Sequence, residues 1–129
     1  MRAVFLFTCV LAYNNLGLAY LNLEEFQTAV GYLNKAIELD SNYAMAYYNL
    51  GIAYMGLEEF DESIVNYNTA IKLNSSYVGA YYNRGLVYQE QGKRREALED
   101  FRSAASIFEK SGNLTYLQRA QERIEKLQQ

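Results

Sequence analysis

An all-α stack of antiparallel helix pairs is the fold class this chain predicts, on three observations. Tyr13, Tyr47 and Tyr81 stand 34 residues apart, each followed closely by Leu16 and Gly17, Leu50 and Gly51, or Arg84 and Gly85. Apolar residues recur at spacings of three and four over two stretches in every period, which is the pattern of two amphipathic helices. Small residues return at fixed offsets as well: Ala29, Ser63 and Ala97, then Ala36, Ala70 and Ala104. A period of this length, with large and small side chains in register, marks a solenoid of repeats and not a single closed core.

The elements follow in order when each repeat is numbered from 1 to 34, over residues 10–43, 44–77 and 78–111. Each unit reads as a helix A and a helix B. Helices approach to roughly 8 Å only where the crossing side chains are small. Gly17, Gly51 and Gly85 on helix A supply such crossings, with Ala29, Ser63 and Ala97 on helix B. Tyrosines at positions 4 and 11 and a bulky residue at position 24, Leu33, Tyr67 or Phe101, fill the space beside them. Asp40-Ser41-Asn42 and Asn74-Ser75-Ser76 favour turns through side-chain to backbone hydrogen bonds. No such signal follows Ile107 until Ser111-Gly112-Asn113, so the third B helix is expected to run longer.

Residues 112–129 read as a capping helix, with Leu117, Ala120, Ile124 and Leu127 on one face and charge on the others. Residues 1–9 read as an apolar extension of the first helix, covering the front of the stack or docking on another copy, with a start cut from a longer array as an alternative. A signal peptide there would be short, and its removal would cut into the first repeat. A membrane span needs roughly 20 apolar residues. Tyr13-Asn14-Asn15 is expected to interrupt this stretch too early for one.

The letters resemble the tetratricopeptide repeat, whose W-x2-L-G-x2-Y…A-x3-F…P pattern Tyr13, Leu16, Gly17, Tyr20, Ala29, Leu33 and their counterparts follow. Tyrosine takes the place of tryptophan, which is expected to change little. Proline is absent from the chain, so nothing forces the B helices to stop. The resemblance implies a right-handed superhelical α-solenoid whose A helices line a concave groove, with positions 2, 5, 6, 9, 12 and 13 facing it.

Position 6 is Asn15, Asn49 and Asn83, and an amide that both donates and accepts can grip a peptide backbone of any sequence. The same amides can instead tie neighbouring helices together. Position 9 is Leu18, Ile52 and Leu86, joined by Met45, Met55, Leu11 and Leu21, with Tyr48 and Tyr82 as aromatic walls. An apolar strip of that length is not left in water, and methionines give an adaptable fit. Related co-chaperones hold acidic carboxy-termini with lysine, asparagine, asparagine, lysine and arginine at set positions. Here those positions are Asn14, Leu18, Asn49, Gly79 and Asn83, so all the cations are missing and carboxylate capture is excluded.

Net charge is -3, which argues against nucleic acid held by many phosphate contacts. The single basic cluster, Lys93-Arg94-Arg95, falls on a turn and reads as a solvated loop. With no histidine and one cysteine, Cys9, neither a zinc site nor histidine-based catalysis can be built, and no cofactor is expected. Glu24-Glu25 and Glu58-Glu59-Asp61-Glu62 read as complements to helix dipoles rather than catalytic pairs. Cys9 reads as a small buried hydrophobe.

The function expected is a non-enzymatic protein-interaction module that takes an apolar or amphipathic peptide in its groove. The alternative is an assembly protein that homo-oligomerises through the groove or residues 1–9. A cytoplasmic location is expected, or export or membrane anchoring if the apolar N-terminus acts as a signal.

Overall fold

The computed structural model describes residues 1–129 as seven α helices without a strand. It divides into two compact units, Met1–Asn74 and Ser75–Gln129. The first holds α1 (Arg2–Asn22), α2 (Phe26–Leu39), α3 (Ala44–Gly56) and α4 (Phe60–Leu73). The second holds α5 (Val78–Glu90), α6 (Arg94–Ser111) and α7 (Leu114–Gln128). Within the first unit α1 pairs with α2 and α3 with α4, and α3 also packs on both α2 and α1. Within the second, α5 pairs with α6, and α7 packs on α6. The solenoid-like pairing of helices predicted from the sequence is therefore present.

The glycines explain how closely the pairs approach. A Cβ built on Gly17 would lie 2.5 Å from Leu33, one on Gly51 2.4 Å from the Tyr67 ring, and one on Gly85 2.9 Å from Phe101. Every A helix thus presses its bare backbone against the bulky position-24 residue of its own B helix. Leu33, Tyr67 and Phe101 are all fully buried there. Ser63 adds a bond to the same joint by donating its hydroxyl to the Gly51 carbonyl at 2.7 Å.

The A helices end in one repeated device. Glu24, Glu58 and Gly92 have φ of 58°, 58° and 74°, the left-handed conformation that closes a Schellman motif. The next amide bonds back five residues, Glu25 to Tyr20 at 2.9 Å, Glu59 to Tyr54 at 2.9 Å and Lys93 to Tyr88 at 2.8 Å, so the exposed carbonyls are satisfied. That backbone demand corrects part of the helix-dipole expectation. Asp61 and Glu62 lie in the first turn of α4, whereas α2 has no acid in its first turn, because Glu24 and Glu25 are used in the turn and at the cap.

The opposite turns show what tyrosine adds over tryptophan. Tyr47 donates its phenol to the Ser41 carbonyl at 2.9 Å, and Tyr81 donates to Ser75 at 3.0 Å. Each bond ties helix A to the turn where the repeat pattern has its proline, and Asp40 adds a cap by accepting from the Asn42 amide at 3.0 Å. The replacement is therefore not neutral.

α6 runs for 18 residues against 14 in α2 and α4, and stops at Gly112 with φ 76°. Asn113 then caps α7 by accepting from the Tyr116 amide at 3.4 Å. Ala120 is sealed against Ala104 and Phe108, with Leu117 beside them. Lys93, Arg94 and Arg95 are solvent-exposed, but only Lys93 lies outside a helix, as the N-cap of α6; Arg94 and Arg95 form its first turn, which corrects the loop expectation.

At the N-terminus two expectations change. Cys9 is half-buried and not part of the core. Tyr13-Asn14-Asn15 does not interrupt the helix, and α1, at 21 residues, is long and apolar enough to cross a membrane by length and composition alone. In the fold it instead buries Val10, Asn14, Gly17 and Leu21.

Candidate functional site

The open faces of the A helices hold the residues singled out above, and in the first unit α1 and α3 are in contact. Position 9 faces outward on α1, where Leu18 is 40 % exposed. Ile52 is half-buried because part of it packs on the core formed by Leu21, Ala29, Val30, Leu33, Leu50 and Ala53. Met45 is exposed, and Met55 and Tyr48 are half-buried, the Tyr48 ring lying 6.0 Å from that of Tyr67. Leu21, by contrast, is in the core and unavailable. These residues give an apolar face with hydrogen-bonding edges.

The asparagine column is not uniform. Asn15 is exposed, but Asn49 is only 3 % exposed and donates its amide to the side-chain oxygen of Asn14 at 3.0 Å. Asn14 in turn donates to the Met45 sulfur at 3.4 Å. The expectation that Asn49 grips a peptide is corrected on this point. Its amide nitrogen is committed to a buried bond between α1 and α3, where a lost partner would leave a costly unsatisfied group. Nothing in the letters separates Asn49 from Asn15; the presence of a second asparagine, Asn14, one position earlier was the available signal.

In the second unit Tyr82, Asn83 and Leu86 are half-buried on α5. Tyr82 stands edge-on to Phe101 at 5.4 Å and lines a cleft with Arg119, Glu122, Arg123 and Lys126 of α7. The surroundings of Tyr82 are therefore cationic, a feature that the repeat alignment alone does not reach because α7 lies outside it.

Behind that face the third repeat replaces leucine with Arg84. Its guanidinium forks onto Asp100, Nε to Oδ2 at 2.8 Å and Nη2 to Oδ1 at 2.6 Å. It also stacks over Tyr81 and Tyr88 at 5.7 and 5.9 Å. Burial pushes the Asp100 carboxyl above the ordinary carboxylate value, because desolvation outweighs what Arg84 returns. Burial disfavours the Arg84 charge too, but the hydrogen bonds and charge of Asp100 outweigh it and hold the guanidinium protonated above its ordinary value.

The folded state binds the Asp100 proton more tightly than the unfolded chain does, so this group's contribution is fully present below the ordinary carboxylate value and is lost as pH rises through its own. Urea unfolding of the wild type and of Arg84→Leu/Asp100→Asn at acid and neutral pH measures this. The wild type should lose ground against the double variant as pH rises.

A tetratricopeptide repeat model matches residues 10–43 and 78–111, a second one of that description residues 32–64, and a model described as TPR repeat residues 53–92. The chain belongs to the tetratricopeptide repeat family. Among solved structures it is similar to MamA, with 37 % identity and a TM-score of 0.77 over 82 % of this chain. This chain spans 62 % of that one. It is similar in fold to the Arabidopsis OM64 TPR domain, with 24 % identity and a TM-score of 0.82, over 92 % of this chain and 96 % of that one. The yeast Sti1 TPR2B domain, solved in complex with pHsp70, gives 21 % identity and a TM-score of 0.88, over 94 % and 97 % of the two chains. No curated protein matches the chain.

Proposed function

We propose that this chain is a non-enzymatic protein-interaction module, and that the segment it takes is apolar or amphipathic. On the first unit that segment lies against Leu18, Met45, Ile52, Met55 and Tyr48, with Asn15 available to its backbone. On the second unit Tyr82, Asn83 and Leu86 offer the same chemistry beside a cationic cleft. The observation that carries the reading is the outward exposure of Leu18 and Met45 on a face that has no charged side chain at positions 2, 5, 6 and 9 of any repeat.

Acidic carboxy-terminal peptides are not the ligand in this reading. The places where a clamp would set cations hold Asn14, Gly79 and Asn83, and Asn49, which matches the clamp by letter, has its amide bonded to Asn14. Peptides selected from a random display library against the full chain should carry apolar residues at helical spacing. Leu18→Asp combined with Leu86→Asp should weaken a selected peptide at least tenfold, about 1.4 kcal/mol, while the circular dichroism stays unchanged. Ile52 is the poorer target because part of it belongs to the core. Selection of acidic peptides, or undiminished affinity in the double variant, would count against the proposal.

A further inference from the structure

The outer face of α1 repeats the side chains of an internal joint. In α3, positions 3, 7, 10 and 14 are Ala46, Leu50, Ala53 and Leu57; the first three are buried and Leu57 packs on the core shared with α2. In α1 the same positions are Ala12, Leu16, Ala19 and Leu23, and all are exposed, with Leu16 at 42 % where Leu50 is at 2 %. The side chains are nearly the same in the two helices, so α1 keeps a stacking face that a helix is built to cover.

That face is longer than one repeat. Counting back through residues 1–9, it continues through Cys9 to the exposed Phe5. Phe5, Cys9, Ala12, Leu16, Ala19 and Leu23 are spaced alternately four and three residues apart, the seam of a coiled coil. It runs one residue out of step with Leu11, Asn15, Leu18 and Asn22, and so sits about 100° around the helix from the peptide face.

We propose that a second copy of this chain covers the seam, its α1 running antiparallel. Charge decides both the partner and the direction. From Ala3 to Asn22 the helix carries no charged residue, with Arg2 before that span and Glu24 and Glu25 after it. An antiparallel pair centred near Asn14 sets Phe5 against Leu23, Cys9 against Ala19 and Ala12 against Leu16. It also brings each Arg2 beside the other copy's Glu24 and Glu25, whereas a parallel pair would set like charges together. Small residues at Cys9, Ala12 and Ala19 allow close approach, and one patch facing itself is the isologous arrangement of a twofold dimer. In α7 the exposed residues include Arg119, Glu122, Glu125 and Lys126, so that helix offers no matching uncharged seam.

The test is sedimentation of the full chain at tens of micromolar, where twice the 14.8 kDa chain mass is expected. Leu16→Glu with Leu23→Glu, both at exposed sites, should weaken dimerisation at least tenfold without changing helicity or peptide affinity. For direction, Ala19→Cys is oxidised with Cys9 retained, and the expected bridge joins Cys9 of one copy to the introduced thiol of the other. A full chain that sediments at single mass assigns the face to some other helix and overturns the proposal. So does a dimer that the double variant leaves intact, or a bridge from Cys9 to Cys9.

Discussion

Asp100→Ala should lower the unfolding free energy by about 3–5 kcal/mol, the largest effect expected of any single substitution considered for this chain. Asp100 is buried and takes both prongs of the Arg84 guanidinium, so its removal takes the counter-charge from a cation that lies over two tyrosine rings and is only partly open to water. The pair itself contributes far less than that loss suggests. Desolvation already outweighs attraction at Asp100, and the second repeat performs the same packing with Leu50 and Asn66 at the matching positions. Arg84→Leu/Asp100→Asn, which copies that solution, is expected within about 1 kcal/mol of the wild type or above it. A double-mutant cycle by urea denaturation measures the difference, and additive losses would refute the account.

Gly51→Val should cost about 3 kcal/mol, the upper part of the range for overpacking. The new Cβ would begin 2.4 Å from the Tyr67 ring, which is fully buried and cannot swing away, and the Ser63 hydroxyl bonds the same backbone. Gly31 is the control. It is mid-helix with nothing within 4 Å of a built Cβ, so Gly31→Ala should stabilise by roughly 0.5–1 kcal/mol through lower unfolded-chain entropy and better helix propensity. Thermal unfolding of the two variants checks the contrast. Equal effects would mean that the repeat glycines recur at that spacing for some reason other than contact.

The pairing of helices was legible because it rests on side-chain size at fixed spacing. Gly17 against Leu33, Gly51 against Tyr67 and Gly85 against Phe101 can each be read from letters 16 residues apart. Less legible was whatever depends on which of several neighbours a polar group chooses. Asn15 and Asn49 share a repeat position, yet the first is exposed and the second bonds Asn14, because α3 packs on α1 and meets the Asn14 amide there. The tyrosine phenols at Tyr47 and Tyr81 found turn carbonyls for the same reason, once proline was absent to hold the turn. Ends were harder still. A period says nothing about residues before its first copy, and the exposure of Phe5, Leu16 and Leu23 emerges only when α1 is compared with α3.

Methyl chemical-shift mapping of the full chain with a library-selected peptide tests the binding claim most directly. The account predicts that the Leu18, Ile52, Leu86, Met45 and Met55 methyls move in proportion to occupancy, while the Ala12 and Ala19 methyls of the seam stay still in the dimer-breaking background. Perturbations that miss Leu18 and Leu86 and gather elsewhere would contradict it.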